Sequence, residues 1–204
     1  MIGGITFKED THQYFDESGI EVPGITAVLK SAGLINYGEK SSELFSEDYM
    51  LRGKAAHRAV ELYSKKSLDE STVDETIAPY LNAYKKFEKD TGYVSKVAEL
   101  LVWHPQRRYA TQIDNIGHLD KDLILLEIKT GSFQPWHKLQ VAGQRACLGD
   151  EMKTTKDFVL ELKDNATYTL HKVAHEVTEE LLFFSLVNLY YWRKNNNYLK
   201  GDKK

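Results

Sequence analysis

The sequence predicts an α/β fold in which a central mixed β-sheet is flanked by helices, and three patterns carry this prediction. Residues 123–129 (LILLEIK) form a short apolar run bounded by turn residues, which is typical of a buried strand. Amphipathic helical patterns cover residues 49–64 and 72–91, ahead of several strand-like runs. A very apolar helical pattern covers residues 177–191, which pack either in the core or in a subunit contact.

Length and composition limit what the chain can be. Its 204 residues are expected to form one domain, with an N-terminal hairpin and loop arm (1–48), a core (49–175), and a C-terminal helix and tail (176–204). An apolar share of 42% suffices for a core, and a charged share of 28% argues against disorder. The single cysteine, Cys147, excludes an internal disulfide and a four-cysteine metal cluster.

Charge and hydropathy bear on partners and location. A net charge of -3 is not that of a protein that coats nucleic acid, but it is compatible with an enzyme that binds a few phosphates locally. No run of about 18 apolar residues occurs, so we expect no membrane span. The N-terminus MIGGITFKED lacks a basic start and an apolar signal core. We therefore expect a reducing, cytoplasmic location.

The N-terminal arm is expected to contain a hairpin, a short helix and a loop. The strand-like pieces ITFKEDTHQYF and GIEVPGITAVL flank the turn signal DESG. Pro23 and Gly24 break the second piece, and Thr26 can cap a short helix over residues 27–30. Residues 31–48 are rich in polar side chains and are expected to form a loop that becomes ordered on substrate binding.

Strands and one further helix complete the expected core. The strands cover residues 93–103, 109–116, 123–129, 157–162 and 167–173. Turn residues in NIGHLDKD join the second strand to the third, and KDNA joins the fourth to the fifth. Between these hairpins, Pro135 begins a helix that extends to about residue 148.

Three polar residues at the ends of two neighbouring strands form the candidate site. Side chains alternate along a strand, so Glu127 and Lys129 share one face of the strand 123–129. A hairpin brings both to Asp114, which lies near the end of the preceding strand. Two carboxylates, a lysine and the carbonyl of Ile128 can hold a divalent metal and activate a water against a phosphodiester. These three side chains alone leave open a structural ion pair at a sheet edge.

Residues on the first amphipathic helix can extend this site. Gly53 and His57 lie one turn apart, and Glu61 follows at the same spacing. Because glycine costs about 1 kcal/mol inside a helix, Gly53 suggests a close approach by backbone or ligand. His57 is a structural histidine or, beside carboxylates and a lysine, a ligand for metal or phosphate. Basic residues that are candidate DNA contacts, or simply part of a solvated surface, are Arg52, Lys54, Arg58 and Lys138.

Two other elements carry polar residues that bear on the site. Glu99 occurs in an apolar strand, so it lies either at a sheet edge or toward a site. On the helix that follows Pro135, spacings of three and four residues place His137, Gln140 and Gln144 on one face. Gln140 can hold a metal ligand or a phosphate oxygen. The chain contains no P-loop, G-x-G-x-x-G or H-E-x-x-H motif, which argues against nucleotide hydrolysis, hydride transfer and zinc proteolysis.

The order of these motifs resembles the PD-(D/E)XK nuclease superfamily, and more closely its RecB-like and phage exonuclease branch. The motifs are Gly53-x-x-x-His57, Glu99, Asp114, Glu127-Ile128-Lys129-Thr130-Gly131 and Lys138-Leu139-Gln140. The opening FKEDTHQYFDESGIEVPGITAVL also looks like the start of phage exonucleases of this group. The resemblance covers about residues 5–148. Thr111-Gln112 replace a glycine that is frequent in the family, and Gln144 stands where the family often has tyrosine.

This resemblance implies a restriction-endonuclease-like core and a Mg²⁺-dependent deoxyribonuclease, in particular an exonuclease of phage recombination or DNA processing. It implies that Asp114 and Glu127 are metal ligands, that Lys129 is the catalytic lysine, and that Mn²⁺ can substitute for Mg²⁺. His57 would bind metal or phosphate, and Gln140 would be a supporting residue of the site. DNA and a phage single-strand annealing protein are the implied partners, in the host cytoplasm, and an oligomer is compatible with the apolar last helix. A structure-specific endonuclease and a non-catalytic DNA-binding or assembly module with this fold are the alternatives.

Overall fold

The computed structural model describes residues 4–35 and 47–199. Within these ranges the chain forms a small three-stranded sheet and a central five-stranded sheet with helices on both faces. This arrangement confirms the predicted α/β fold with a central mixed sheet flanked by helices. Most of the predicted loop over residues 31–48 lies outside the described residues.

The small sheet is antiparallel and contains β1 (Ile5–Lys8), β2 (Gln13–Asp16) and β3 (Glu21–Val22) in that order. The hairpin about DESG is confirmed for β2 and β3. The prediction that ITFKEDTHQYF forms one strand is wrong, because the chain folds back on itself before β2, where His12 has a φ of 52°.

Three helices precede the strands of the central sheet, the first on one face of the sheet and the other two on the opposite face. Helix α1 (Ile25–Ser31) starts two positions before the predicted Ala27, and its N-cap is Gly24, so Thr26 is not the cap. Helices α2 (Glu47–Ser64) and α3 (Ala78–Thr91) follow.

Helix α3 begins later than the predicted residue 72. Asp69 caps a short 3₁₀ turn at Glu70–Thr72, and the carboxylate of Asp74 accepts hydrogen bonds from the backbone and hydroxyl of Thr76. These side-chain bonds compete with helical ones and hold the chain in turns before the helix. Helix α3 ends as predicted at Gly92, which has a φ of 70°.

The central sheet has the strand order β4-β5-β6-β7-β8. The strands are β4 (Val94–His104), β5 (Tyr109–Leu119), β6 (Asp122–Lys129), β7 (Lys156–Leu162) and β8 (Tyr168–Val173). Only the β6–β7 pair is parallel. Strand β5 extends beyond the predicted residue 116 because the turn is confined to two residues, of which Asp120 has a φ of 54°.

Helix α4 (His137–Arg145) makes the crossover between the parallel strands, and it starts two residues after the predicted Pro135. Helix α5 (Val177–Asn195) packs against it. In β6, Leu125 packs with the α1, α4 and α5 side of the sheet, whereas Leu126 packs with the α2 and α3 side. The predicted alternation along β6 is therefore confirmed. It directs Glu127 toward α4, where its hydrogen-bond partners lie.

The apolar helix α5 has one buried side and one exposed side. Phe183 and Val187 are fully buried in the core beside α4, which agrees with the core alternative for this helix. Val177 and Leu181 on the other side are exposed. Among the described residues, none of the helices combines the length and the apolar content needed to cross a bilayer.

Candidate active site

His57, Glu99 and Asp114 form a compact cluster between α2 and the central sheet. One ligand atom from each residue lies within 4.8 Å of the other two, and all three side chains are partly buried. Nδ1 of His57 lies 3.6 Å from Oδ1 of Asp114. Helix α2, strand β4 and strand β5 each supply one of these residues, so the cluster depends on the tertiary fold rather than on one local segment.

The position of Asp114 follows from where the β5–β6 ladder ends. The last register pair is Asn115 with Leu126, and beyond it Asp114 Oδ2 accepts a hydrogen bond of 2.6 Å from the backbone N–H of Ile128. The carboxylate therefore takes the place of a backbone acceptor where the two strands diverge. This contact involves the backbone N–H of Ile128. The sequence predicts its backbone carbonyl as a metal ligand, and that role stays a prediction.

Glu99 has an unusual backbone conformation within β4. Its φ is 54°, and it has no register partner in β5 although Ala98 and Leu100 on either side are paired. A left-handed conformation costs a non-glycine residue on the order of 1–3 kcal/mol and is concentrated at functional sites. The sequence left a sheet edge or a site open for Glu99, and the structure agrees with both, since β4 is an edge strand of the central sheet and Glu99 lies beside His57 and Asp114.

Glu127 lies on the α4 side of the sheet and is 2% exposed. Its Oε1 accepts hydrogen bonds from Lys129 Nζ and, at 2.6 Å, from Gln140 Nε2. Its Oε2 accepts from Gln144 Nε2, also at 2.6 Å. Since a carboxylate oxygen has two lone pairs, Oε2 retains one acceptor position for a further ligand.

Gln144 contacts Glu127, and sequence reasoning assigned it no role beyond its place on one helix face with His137 and Gln140 and its departure from the family pattern. Its amide is fully buried, and its Nε2 also lies 3.4 Å from the carbonyl oxygen of Gln112. The four-residue spacing from Gln140 was the signal that could have identified it. His137 shares this helix face but has a local role, because its Nδ1 accepts from the backbone N–H of Gln134 at 3.0 Å.

The carboxylates perturb one another strongly. Burial and then the charge of Asp114 raise the pKa of Glu99 to about 8, and the same two causes raise the pKa of Glu127. Burial also acts to raise the pKa of Asp114, but the opposing effects of His57, Lys129 and the Ile128 N–H lower it overall. Burial disfavours the charged form of His57, yet the adjacent Asp114 raises its pKa. The site thus concentrates negative charge.

The donor set of this cluster fits a divalent cation. Carboxylate oxygens are the preferred protein ligands of Mg²⁺ and Mn²⁺, and an imidazole nitrogen is tolerated better by Mn²⁺ and later transition metals. The repulsion that raises the pKa of Glu99 is the kind of interaction that a bound cation relieves. His57, Glu99 and Asp114 would hold such an ion, with Glu127 adjacent in the same electrostatic network.

Gly53 explains how α2 reaches the sheet closely enough to deliver His57. A Cβ atom at this position would lie 3.3 Å from Oγ1 of Thr130, the residue after Lys129. The predicted close approach at Gly53, by backbone or ligand, is in the structure an approach to the side-chain hydroxyl of Thr130. The absence of a side chain lets α2 pack against the end of β6, one turn before His57.

The remaining candidates lie around the cluster rather than in it. Glu61 pairs with Arg58 and Lys65 on α2, with 2.6 Å between charged atoms in each pair, so its carboxylate is engaged outside the three-residue cluster. The four basic candidates are exposed: Arg52, Lys54, Arg58 and Lys138. Lys54 also lowers the pKa of His12, after the larger effect of burial, which indicates that the small sheet approaches α2.

Comparisons with known proteins show the fold. No family model matches the chain. No curated protein matches it. Among solved structures, a putative exonuclease from Eubacterium rectale has a TM-score of 0.54 at 8% identity, over 88% of this chain and 83% of that one. An alkaline exonuclease from Laribacter hongkongensis, LHK-Exo, has a TM-score of 0.41 at 15% identity, over 84% of this chain and 92% of that one. Its complex with dAMP gives 0.46 at 13% identity, over 86% and 93%.

Proposed function

We propose that this protein is a Mg²⁺-dependent deoxyribonuclease of the PD-(D/E)XK type, acting as an exonuclease in phage DNA recombination or processing. The observation that carries the proposal is the convergence of His57, Glu99 and Asp114 on one point, together with a second group in which Lys129 binds Glu127. The fold shared with a putative exonuclease supports it. The expected substrate is DNA, and a single-strand annealing protein is the expected partner in the host cytoplasm.

The acidic cluster provides the metal site in this proposal. His57, Lys129 and the Ile128 N–H lower the pKa of Asp114 against the effect of burial, and so favour its charged form. Glu99 holds its proton more tightly, so cation binding and proton release from Glu99 are coupled. When bound, a divalent cation lowers the pKa of a coordinated water and offsets negative charge on the phosphate under attack.

Lys129 and the two glutamines organise the other half of the site. The side chain of Lys129 is 20% exposed and its ammonium donates to Glu127, so it can also reach a water or phosphate oxygen at the surface. There it orients the attacking water and stabilises developing negative charge. Gln140 and Gln144 each donate a hydrogen bond to one oxygen of Glu127. They thereby orient the carboxylate that binds the ammonium of Lys129.

The exposed basic residues supply phosphate contacts for the strand outside the catalytic centre. Arg52 and Lys54 precede His57 on α2, and Lys138 precedes Gln140 on α4. Each contact of this kind releases counterions, so the affinity for DNA should fall as the salt concentration rises.

The test is degradation of end-labelled linear duplex, circular duplex and single-stranded DNA with Mg²⁺, with Mn²⁺ and with EDTA. We expect metal-dependent loss of linear DNA, survival of circles, and no activity in Lys129→Met. Lys86→Met is the matched control, because Lys86 forms a surface ion pair with Asp90 on α3. Metal-dependent cleavage of circles would replace the exonuclease with an endonuclease. DNA binding without hydrolysis under any metal condition would contradict the enzymatic proposal.

A further inference from the structure

A groove of about 330 Å³ opens where the beginnings of α4 and α5 meet the end of α1. Its walls are largely apolar and include Leu34, Trp136, Lys138, Leu139, Glu179 and Leu182. The volume is at the small end of the range for ligand pockets, roughly 300–1,000 Å³. It can therefore accept a flat group about the size of one nucleobase, but not a folded peptide segment.

Glu179 lines the groove, and the protein satisfies its carboxylate only in part. Oε2 of Glu179 is buried and has no hydrogen-bond partner among the described residues. A buried acceptor without a partner is destabilising, and more so when it carries charge. Rotation of the Glu179 side chain toward the groove would expose this oxygen, and a ligand that brings an N–H group there would supply the missing hydrogen bond.

Trp136 connects the groove with the candidate active site. Its ring lines the groove and lies 6.0 Å from Nζ of Lys129. The ring is held edge-on against His137, with 4.0 Å between ring centroids and 73° between ring planes. Lys138 places an exposed cation at the same groove. An apolar groove, an aromatic wall, an unsatisfied acceptor and a cation thus occur together beside the catalytic lysine.

We propose that this groove binds one base of the DNA strand next to the bond that is cleaved, an inference that rests on the proposed nuclease function. Trp136 contacts the base through its ring, as aromatic side chains do in proteins that bind single strands. Glu179 accepts a hydrogen bond from the base edge, and Lys138 faces the backbone phosphate. A carboxylate accepts well from the amino group of cytosine. Thymine has carbonyl oxygens on both sides of its N–H and is disfavoured.

The test is equilibrium binding of short fluorescent oligodeoxycytidylate and oligothymidylate in EDTA, where no hydrolysis occurs. We expect the wild-type protein to bind the cytosine strand about tenfold more tightly. Glu179→Gln should abolish this preference, because an amide can serve either base. Glu176→Gln is its matched control, an exposed residue one turn earlier at the start of α5.

Trp136→Leu should weaken binding of both strands about tenfold, in line with the loss of one stacked base. The matched control is Trp192→Leu, at the far end of α5, where the ring packs against Tyr198. A cytosine preference that persists in Glu179→Gln, or unchanged affinity in Trp136→Leu, would overturn the inference. A change of oligomeric state in these variants without a change in oligonucleotide affinity would also overturn it, since the groove would then be a protein interface.

The two proposals fail separately in these assays. If the protein hydrolyses DNA with metal but shows neither the cytosine preference nor the loss of affinity in Trp136→Leu, the base pocket is overturned and the proposed nuclease function stands. An inactive wild-type protein that still shows a Glu179-dependent cytosine preference would overturn the nuclease and support the pocket as part of a DNA-binding site.

Discussion

Gln144 offers a sharp test of how the site is held together. Its buried amide donates to Glu127 Oε2 at 2.6 Å, and no other donor from the described residues contacts that oxygen. In Gln144→Leu, the carboxylate keeps its burial but loses this bond. A hydrogen bond to a charged group contributes about 1.5–3 kcal/mol, and loss of one partner leaves the other unsatisfied.

The expected cost follows from that value. For a chain of this size, each kcal/mol lowers the melting midpoint by about 2–4 °C, so we expect a decrease of about 3–12 °C. Loss of a residue that orients a metal-site carboxylate typically costs about 10–100-fold in metal affinity or activity. The melting midpoint and the nuclease activity should therefore both fall in Gln144→Leu. The pKa of Glu127 should rise further, since the hydrogen bond from Gln144 acts to lower that pKa.

Thermal unfolding with and without Mn²⁺, together with nuclease rates, measures these effects. Gln134→Leu is the control, because the exposed Gln134 uses its backbone N–H rather than its side chain to bind His137. If Gln144→Leu melts and cleaves DNA like the wild type, Gln144 does not position Glu127, and the reasoning from the hydrogen-bond geometry is refuted.

Three other predictions concern charge, packing and metal. The pKa of Glu99 is raised to about 8, so the folded protein retains this proton at pH values where the unfolded chain loses it. The free energy of unfolding of the metal-free protein should therefore fall as the pH rises from about 4.5 through about 8. Urea unfolding should show a smaller fall in Glu99→Gln. Gly143→Ala places a Cβ 2.7 Å from the ring of Phe183 and should cost about 1–3 kcal/mol in the same assay, whereas Gly149→Ala, with no atom within 4 Å, should cost far less. Mn²⁺ at a hundredfold excess over its Kd should stabilise the wild type by about 2.7 kcal/mol and so raise its melting midpoint. The midpoint of Asp114→Asn should not rise. Equal increases in the two proteins would refute the assignment of Asp114 as a ligand.

Much of the fold could be predicted because local patterns and tertiary packing agree. The alternation in β6 correctly separates Leu125 from Leu126, and Gly92 ends α3 as expected. The errors occur where side chains favour turns over regular structure. Asp74 delays α3 by bonding Thr76.

The sequence indicates which residues belong to the candidate site better than it indicates how they are arranged in space. Sequence order suggested His57, Asp114, Glu127 and Lys129, but it could not show that Glu99 leaves the ladder with a φ of 54°. Such a conformation has no period or composition that marks it in a single sequence. The same holds for contacts between distant segments, which is why the bond from α4 to Glu127 became visible only in the fold.

The central claim is that His57, Glu99 and Asp114 hold a divalent cation at the centre of a nuclease site. The most direct measurement is the anomalous difference density of a crystal soaked in Mn²⁺, recorded for the wild type and for Asp114→Asn. We predict one strong peak within coordination distance of the Asp114 carboxylate and at least one of the other two side chains, and its loss in the variant. A map with no peak at Asp114, from protein that cleaves DNA in the same Mn²⁺ solution, would contradict this claim.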